Sequence, residues 1–215
     1  MHYKFILFDN DGVLVDTEFW YFEATRRALA DIGVALDQDT YRHIMVRGAA
    51  AWELAEQAGI DPALVARQKA QRNRWYQQYL RNEAIEIPGA ADCLHSLYAQ
   101  GYRMAIVTTA KRVDFDVIHR RRELLDHVEF VLTREDYERS KPDPEPYALA
   151  LERFGAGPGE ALVVEDSERG LRSALAAGID CAVIHNEFTA RHNFDGAICR
   201  LPSLAQLAEF LSRDN

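Results

Sequence analysis

Phe5-Ile6-Leu7-Phe8-Asp9-Asn10-Asp11-Gly12-Val13-Leu14-Val15-Asp16-Thr17 is the stretch from which the rest of the chain is read. An apolar run leads straight into two carboxylates one residue apart, and glycine follows at once. A continuous apolar run this short reads as a strand buried on both faces, as parallel sheets require. Alternate side chains of an extended segment share a face, so Asp9 and Asp11 leave the strand end pointing the same general way. Two acids this close repel unless a cation or a shared proton relieves them. Gly12 lets the chain turn without placing a side chain at the mouth. Taken alone, the stretch reads equally as a polar strand end closed by an Asp-Gly turn. The downstream chain decides between the two.

Downstream, glycines close a series of amphipathic runs at Gly33, Gly59, Gly101, Gly155 and Gly178. Glycine at that place accepts the left-handed backbone that ends a helix. β-rich runs follow at Arg103–Thr109, Ala161–Glu165 and Asp180–Ile184, with a shorter one at Phe130-Val131-Leu132. Strand and helix alternate, which predicts an α/β fold: a parallel sheet covered by helices on both sides. Residues 17–84 break the rhythm with helical patterns and no convincing strand. Tyr21, Phe22, Thr25, Ala28, Leu29 and Ile32 share one face of the first helix, and Glu23, Arg26, Arg27 and Asp31 the other. Further runs begin near Gln38 and Ala49, and the last starts at Asp61-Pro62, an N-cap followed by proline. The expectation is a small all-helical domain over 17–84, inserted after the first strand of a core made of 1–16 and 85–215.

The chain has 215 residues, enough to bury a real core, with 48% hydrophobic and 27% charged residues. A net charge of −9 argues against a nucleic-acid footprint or a basic membrane-binding face. It leaves room for a small positive pocket that holds an anion. Cys93, Cys181 and Cys199 lie far apart without metal-ligand spacing, and read as apolar fillers in a reducing compartment. The apolar start is too short for a signal peptide and no stretch could span a bilayer, so the expected location is the cytoplasm. A monomer is compatible with all of this.

Ligands of open parallel sheets bind beyond the carboxyl ends of the strands. The first strand ends at Asp9 and Asp11, another at Thr108 and Thr109, and a third at Glu165, Asp166 and Ser167. Between the last two lies Ser140-Lys141-Pro142-Asp143-Pro144-Glu145-Pro146, stiffened by alternate prolines. Each piece has an ordinary explanation: threonines form turns, a lysine in a proline-rich loop is exposed, and Glu165-Asp166-Ser167 caps a helix beginning near Glu168. Together they put carboxylates, a cation and a hydroxyl at several strand ends of one sheet.

With FDNDGVLVDTE, IVTTAK, SKPDPEPY and VVEDSERG in that order, the chain resembles the haloacid dehalogenase superfamily, in its phosphatase and phosphomutase branch with a helical cap. The likeness spans nearly the whole chain. It implies a Rossmann-like core, a cap that closes as a lid, Mg²⁺ as cofactor and a small phosphorylated metabolite as substrate. It also implies roles: Asp9 as nucleophile, Asp11 as general acid and base, and Thr108 as a phosphate ligand with Thr109 beside it. Lys141 would orient Asp9, and the metal would be held by Asp9, Asp166, the main-chain carbonyl of Asp11 and Glu165 nearby. Those roles make chemical sense, since Mg²⁺ prefers oxygen ligands and a carboxylate nucleophile splits one displacement into two.

Asp11 separates the branches, because a departing alkoxide needs a proton and a departing halide does not. Phosphate ester chemistry is therefore expected. β-Phosphoglucomutase-like enzymes carry a cap histidine where this chain has Tyr21, and a cap arginine where it has Ala49, Ala50 and Ala51. These departures remove a natural grip on a distal phosphate and favour a phosphatase over a mutase. A non-catalytic binding member of the fold is the remaining alternative. For substrate choice the candidates are Arg47, Gly48, Trp52, Arg72 and Tyr76, although Trp52 and Tyr76 also fit core faces and Arg72 falls in a charged run, Arg67 to Arg74.

Overall fold

The computed structural model describes residues 3–46, 49–120 and 122–213. Two compact units are present, one made of Met1–Asp16 with Glu86–Asn215 and the other of Thr17–Ile85. The junction falls one residue past the expected one because Glu86 belongs to the first unit, where it pairs with Val15 as an isolated antiparallel bridge.

The first unit is built on a six-stranded sheet. In chain order its strands are β1 (Phe5–Phe8), β2 (Arg103–Val107), β3 (Phe130–Leu132), β4 (Ala161–Glu165), β5 (Asp180–Ile184) and β6 (Cys199–Leu201). They lie in the order β3-β2-β1-β4-β5-β6, with every neighbouring pair parallel. β1 is central, with Leu7 opposite Ala105 on one side and Val163 on the other. A strand covered on both faces and both edges has no polar side, which is why its four residues are all apolar and all buried. The chain runs one way from β1 to β2 and β3 and the other way to β4, β5 and β6. β1 is thus the switch point at whose carboxyl end a ligand crevice forms.

Helices cover the sheet. Phe5, Leu7, Ala105, Val107, Leu132 and Val163 on one face pack with Tyr147, Ala150 and Phe154 of the helix Glu145–Phe154 and Leu171 and Ala174 of the helix Glu168–Ala176. Alternate residues Ile6, Phe8, Met104, Ile106, Leu162 and Val164 are fully buried on the other face. In this unit the helices are α5 (Ala90–Ala99), α6 (Arg112–His119), α7 (Glu145–Phe154), α8 (Glu168–Ala176) and α9 (Ala205–Arg213).

The second unit holds α1 (Glu18–Ala30), α2 (Gln38–Val46), α3 (Glu53–Gln57) and α4 (Pro62–Asn82), so the chain carries the small all-helical cap after its first strand. Asp61 caps α4, its side chain accepting from the Ala63 N–H at 2.9 Å. α3 begins at Glu53 rather than near Ala49. Aromatic pairs knit the unit, with Tyr21 and Tyr76 edge to face at 5.2 Å and Phe22 against Tyr41 at 5.2 Å. None of the described helices is long and apolar enough to cross a membrane.

Leu7 sits at the crossing of β2, β1 and β4 with no exposed surface. Leu7→Ala is expected to cost about 2–5 kcal/mol, read from the denaturant midpoint. A loss under about 1 kcal/mol would mean that the central strand is not packed as described.

Candidate active site

The loop after β1 is shaped by its own backbone. Asp9 N–H donates to Val164 O at 2.9 Å, which prolongs the ladder, and the Leu14 and Val15 N–H groups both return to Asn10 O, at 2.9 and 3.1 Å. Gly12 has φ +83°, and a Cβ there would lie 2.1 Å from Asp166 Oδ2 and 2.6 Å from Asn186 Nδ2. Glycine is required twice over, by backbone sign and by the space that Asp166 needs.

Lys141 is the cation of the site. Its Nζ donates to Asp9 Oδ1 at 3.0 Å, Glu165 Oε1 at 2.7 Å and the main-chain carbonyl of Val107 at 2.8 Å, so all its donors are used. It is not the exposed loop lysine that its prolines would suggest, since its side chain is 1% exposed. Glu165 is fully buried and heavily engaged. Oε1 also accepts from Tyr147 OH at 2.8 Å, and Oε2 accepts from Ser167 Oγ at 3.0 Å and from the Asp166 and Ser167 N–H groups at 3.2 and 3.3 Å. Ser167 in turn caps α8 by accepting from Gly170 N–H at 3.1 Å. A Cβ at Gly170 would lie 1.7 Å from Glu165 Oε1, so α8 can approach only because that residue is glycine.

Thr108, just beyond β2, donates from Oγ1 to Asp11 Oδ2 at 3.2 Å while accepting from Ala110 N–H at 3.0 Å. Asn10 Nδ2 reaches the same Asp11 oxygen at 3.3 Å. Asp166 accepts weakly from Thr189 Oγ1 at 3.5 Å. Thr109 is half-buried and receives Arg169 at 3.5 Å. Asp9, Asp11, Thr108, Lys141, Glu165 and Asp166 are thus tied together at the carboxyl ends of β1, β2 and β4.

Carboxylate oxygens of Asp9, Glu165 and Asp166 lie within 4.8 Å of one another, a spacing that could hold a metal ion. The donors are all oxygens, and the absence of a side chain at Gly12 keeps Asp166 clear, which fits a hard cation. Glu165 would have to give up one of its donors to become a ligand.

The charges do not balance among the protein groups. Burial and the charge of Glu165 push Asp9 up to about 7, and Lys141 only partly offsets them. Burial would raise Glu165 too, but Lys141 and the hydrogen bonds outweigh it and hold Glu165 below the usual carboxylate range. Burial would lower Lys141, and its two carboxylates reverse this and hold it above the usual lysine range. One ammonium thus faces two buried carboxylates, which leaves surplus negative charge beside Asp9.

Two expected substrate contacts belong to the 17–84 segment. Gly48, with Arg47, falls outside the described residues. Arg72 belongs to the helical unit, where it is buried rather than solvated: its Nε donates to Asn73 Oδ1 at 2.8 Å, its Nη1 to Thr25 Oγ1 at 3.3 Å, and its guanidinium lies 4.2 Å from the Tyr21 ring centroid. Among the described residues no carboxylate pairs with it. Trp52 and Tyr76 are core residues, 5% and 8% exposed. Asn10, Tyr147, Gly170 and Thr189 join the site beyond the residues expected from the sequence, and the first three stand inside the four motifs.

Residues 6–184 match the haloacid dehalogenase-like hydrolase family. The chain belongs to this family. It is an enzyme of the phosphoric monoester hydrolase type. It is 32% identical over 190 residues to a phosphorylated carbohydrates phosphatase of Thermotoga maritima, covering 84% of this chain and 85% of that one. Among solved structures it is similar to a CbbY variant from Rhodobacter sphaeroides in complex with xylulose-1,5-bisphosphate, with TM-score 0.81 and 26% identity over 95% of this chain and 96% of that one. A structure described as a putative β-phosphoglucomutase from Thermotoga maritima matches with TM-score 0.78 and 28% identity over 99% of both chains.

Because Asp9 titrates higher in the folded protein than in the unfolded chain, the folded state keeps a proton that the unfolded chain has released between about pH 4 and pH 7. This contribution is complete at the acid end and is lost as pH rises through about 7. Metal-free Asp9→Asn is therefore expected to gain stability relative to wild type between pH 5 and pH 8, measured by urea unfolding in chelator. A stability difference that does not change with pH would contradict the surplus charge on Asp9.

Proposed function

We propose that the protein is a Mg²⁺-dependent phosphatase of a small phosphorylated metabolite, a sugar phosphate or similar polyol phosphate, acting through an aspartyl-phosphate. The observation that carries this reading is Asp9 held by a buried lysine at 3.0 Å, with a second carboxyl, Asp11, two residues on and tethered by Thr108. A nucleophile and a proton carrier are what an ester displacement in two steps needs.

A carboxylate oxygen of Asp9 attacks phosphorus, and the ester P–O bond breaks as Asp11 passes its proton to the departing alkoxide. Asp11 then takes a proton from the water that attacks phosphorus, and the acyl phosphate bond breaks to return Asp9 and free phosphate. Lys141, Thr108 and backbone N–H groups after Asp9 spread the charge of the transferring group. Asp9, Asp166 and the carbonyl of Asp11 would hold Mg²⁺, with Glu165 standing behind them as the anchor of Lys141 and of the turn bearing Asp166. When bound, the ion neutralises phosphoryl oxygens and the surplus charge on Asp9. Arg72, with Gly48 and Thr109, is proposed to recognise the rest of the substrate. Its buried guanidinium, without a carboxylate partner among the described residues, suits an anionic or hydroxyl-rich group.

The similarity to a putative β-phosphoglucomutase supports a second reading, a sugar phosphomutase. Tyr21 and the Ala49-Ala50-Ala51 run weigh against it. Sugar phosphate isomerisation primed by bisphosphate, without net phosphate release, would establish the mutase instead.

Phosphate release from a panel of sugar phosphates, phosphoglycolate and nucleoside monophosphates should fall more than about a thousandfold in Asp9→Asn. Release unchanged in this variant would refute the assignment. Independently of activity, Mg²⁺ should raise the Tm of wild type more at pH 8 than at pH 5.5, because ion and proton compete for Asp9. Asp166→Asn should abolish the shift. A shift that persists in that variant would exclude Asp166 as a ligand.

A further inference from the structure

Asn10 lies between the two acids of the opening motif with no exposed surface, and the proposed chemistry leaves it without a part. Its amide faces Asp11 with Nδ2 and His119 with Oδ1, at 3.3 and 2.7 Å. The carboxylate requires the N–H side, so the oxygen faces the imidazole and His119 must donate from Nε2. His119 comes from the end of α6 and is buried, with Phe115 against its ring at 4.3 Å between centroids. Its Nδ1 is buried without a partner among the described residues, as the Nε2–H tautomer allows. Burial, with the charge of Arg122 second, pushes His119 down to about 4, so it is a fixed neutral donor and not a proton shuttle.

We propose that Asn10 and His119 are positioning residues for Asp11: the imidazole fixes the amide, and the amide holds Oδ2 of the Asp11 carboxyl. In the resting site Thr108 donates to the same oxygen, and with the Asn10 amide kept on Oδ2 the proton that Asp11 delivers rides on Oδ1. The chain from Nε2–H through the Asn10 amide to Oδ2 polarises in one direction, which strengthens each bond. The inference rests on the phosphatase reading and adds to it a device that sets the rotamer of the acid.

The test compares esters that do and do not need an acid. β-Glycerophosphate releases a poor alkoxide that requires protonation, whereas p-nitrophenyl phosphate releases a stable phenolate. kcat/KM for both is measured in wild type, Asn10→Leu, His119→Phe and His119→Gln, the last keeping a side-chain N–H donor. Each variant serves as its own control for folding, because the unfolded fraction cancels in the ratio of the two esters. In Asn10→Leu and His119→Phe the glycerophosphate value is expected to fall at least about tenfold further than the nitrophenyl value, within the range general acid catalysis supplies. In His119→Gln the ratio should return to within about threefold of wild type. An equal fall on both esters would overturn the inference and make these residues merely structural. No phosphate release from either ester by wild type with Mg²⁺ would overturn the phosphatase reading, and the inference with it.

Discussion

The ammonium of Lys141, closed off from water between Asp9 and Glu165, is the contact on which the rest of the site depends. An isolated ion pair out of water returns little beyond its desolvation cost, and breaking one leaves an uncompensated charge. Here one cation faces two carboxylates, so the group is specific in geometry and short of positive charge. Glu165 is held in addition by Tyr147, Ser167 and the turn before α8. Asp9 is fixed in place by one oxygen, and the single ammonium leaves the two carboxylates under-neutralised.

The sheet explains how residues so far apart in sequence reach one another. β1 is flanked by parallel strands on both sides, so the loops after β1, β2 and β4 emerge at one edge. Asp9, Thr108 and Asp166 arrive from these three loops, and Lys141 from the proline-bearing loop before α7. Close approach is secured by omission as much as by contact. Gly12 leaves room for Asp166 and Gly170 for Glu165, and a methyl group at either would meet a carboxylate oxygen.

Much of this was readable from the chain. Short apolar runs mark β1, β2, β4 and β5, the last three each after a helix-closing glycine, because strands buried on both faces carry no polar alternation. β6 escaped because it is a three-residue edge strand, only partly buried, without a pattern of its own. Arg72 was legible in part: it follows Val65 by seven residues and precedes Tyr76 and Leu80 by four and eight, the spacing of the buried stripe of α4. Its charged neighbours masked that stripe. The contact of His119 with Asn10 spans 109 residues and that of Tyr147 with Glu165 spans 18, and no local periodicity encodes either.

The claim that Lys141 holds two buried carboxylates together is most directly tested by a double-mutant cycle on folding stability in metal-free buffer at pH 8. Lys141→Met alone is expected to cost about 3–5 kcal/mol, because two buried carboxylates lose the ammonium between them. Adding Glu165→Gln to Lys141→Met should recover more than half of that loss, a coupling well outside simple additivity. Losses that simply add, with the double variant less stable than Lys141→Met, would contradict the account.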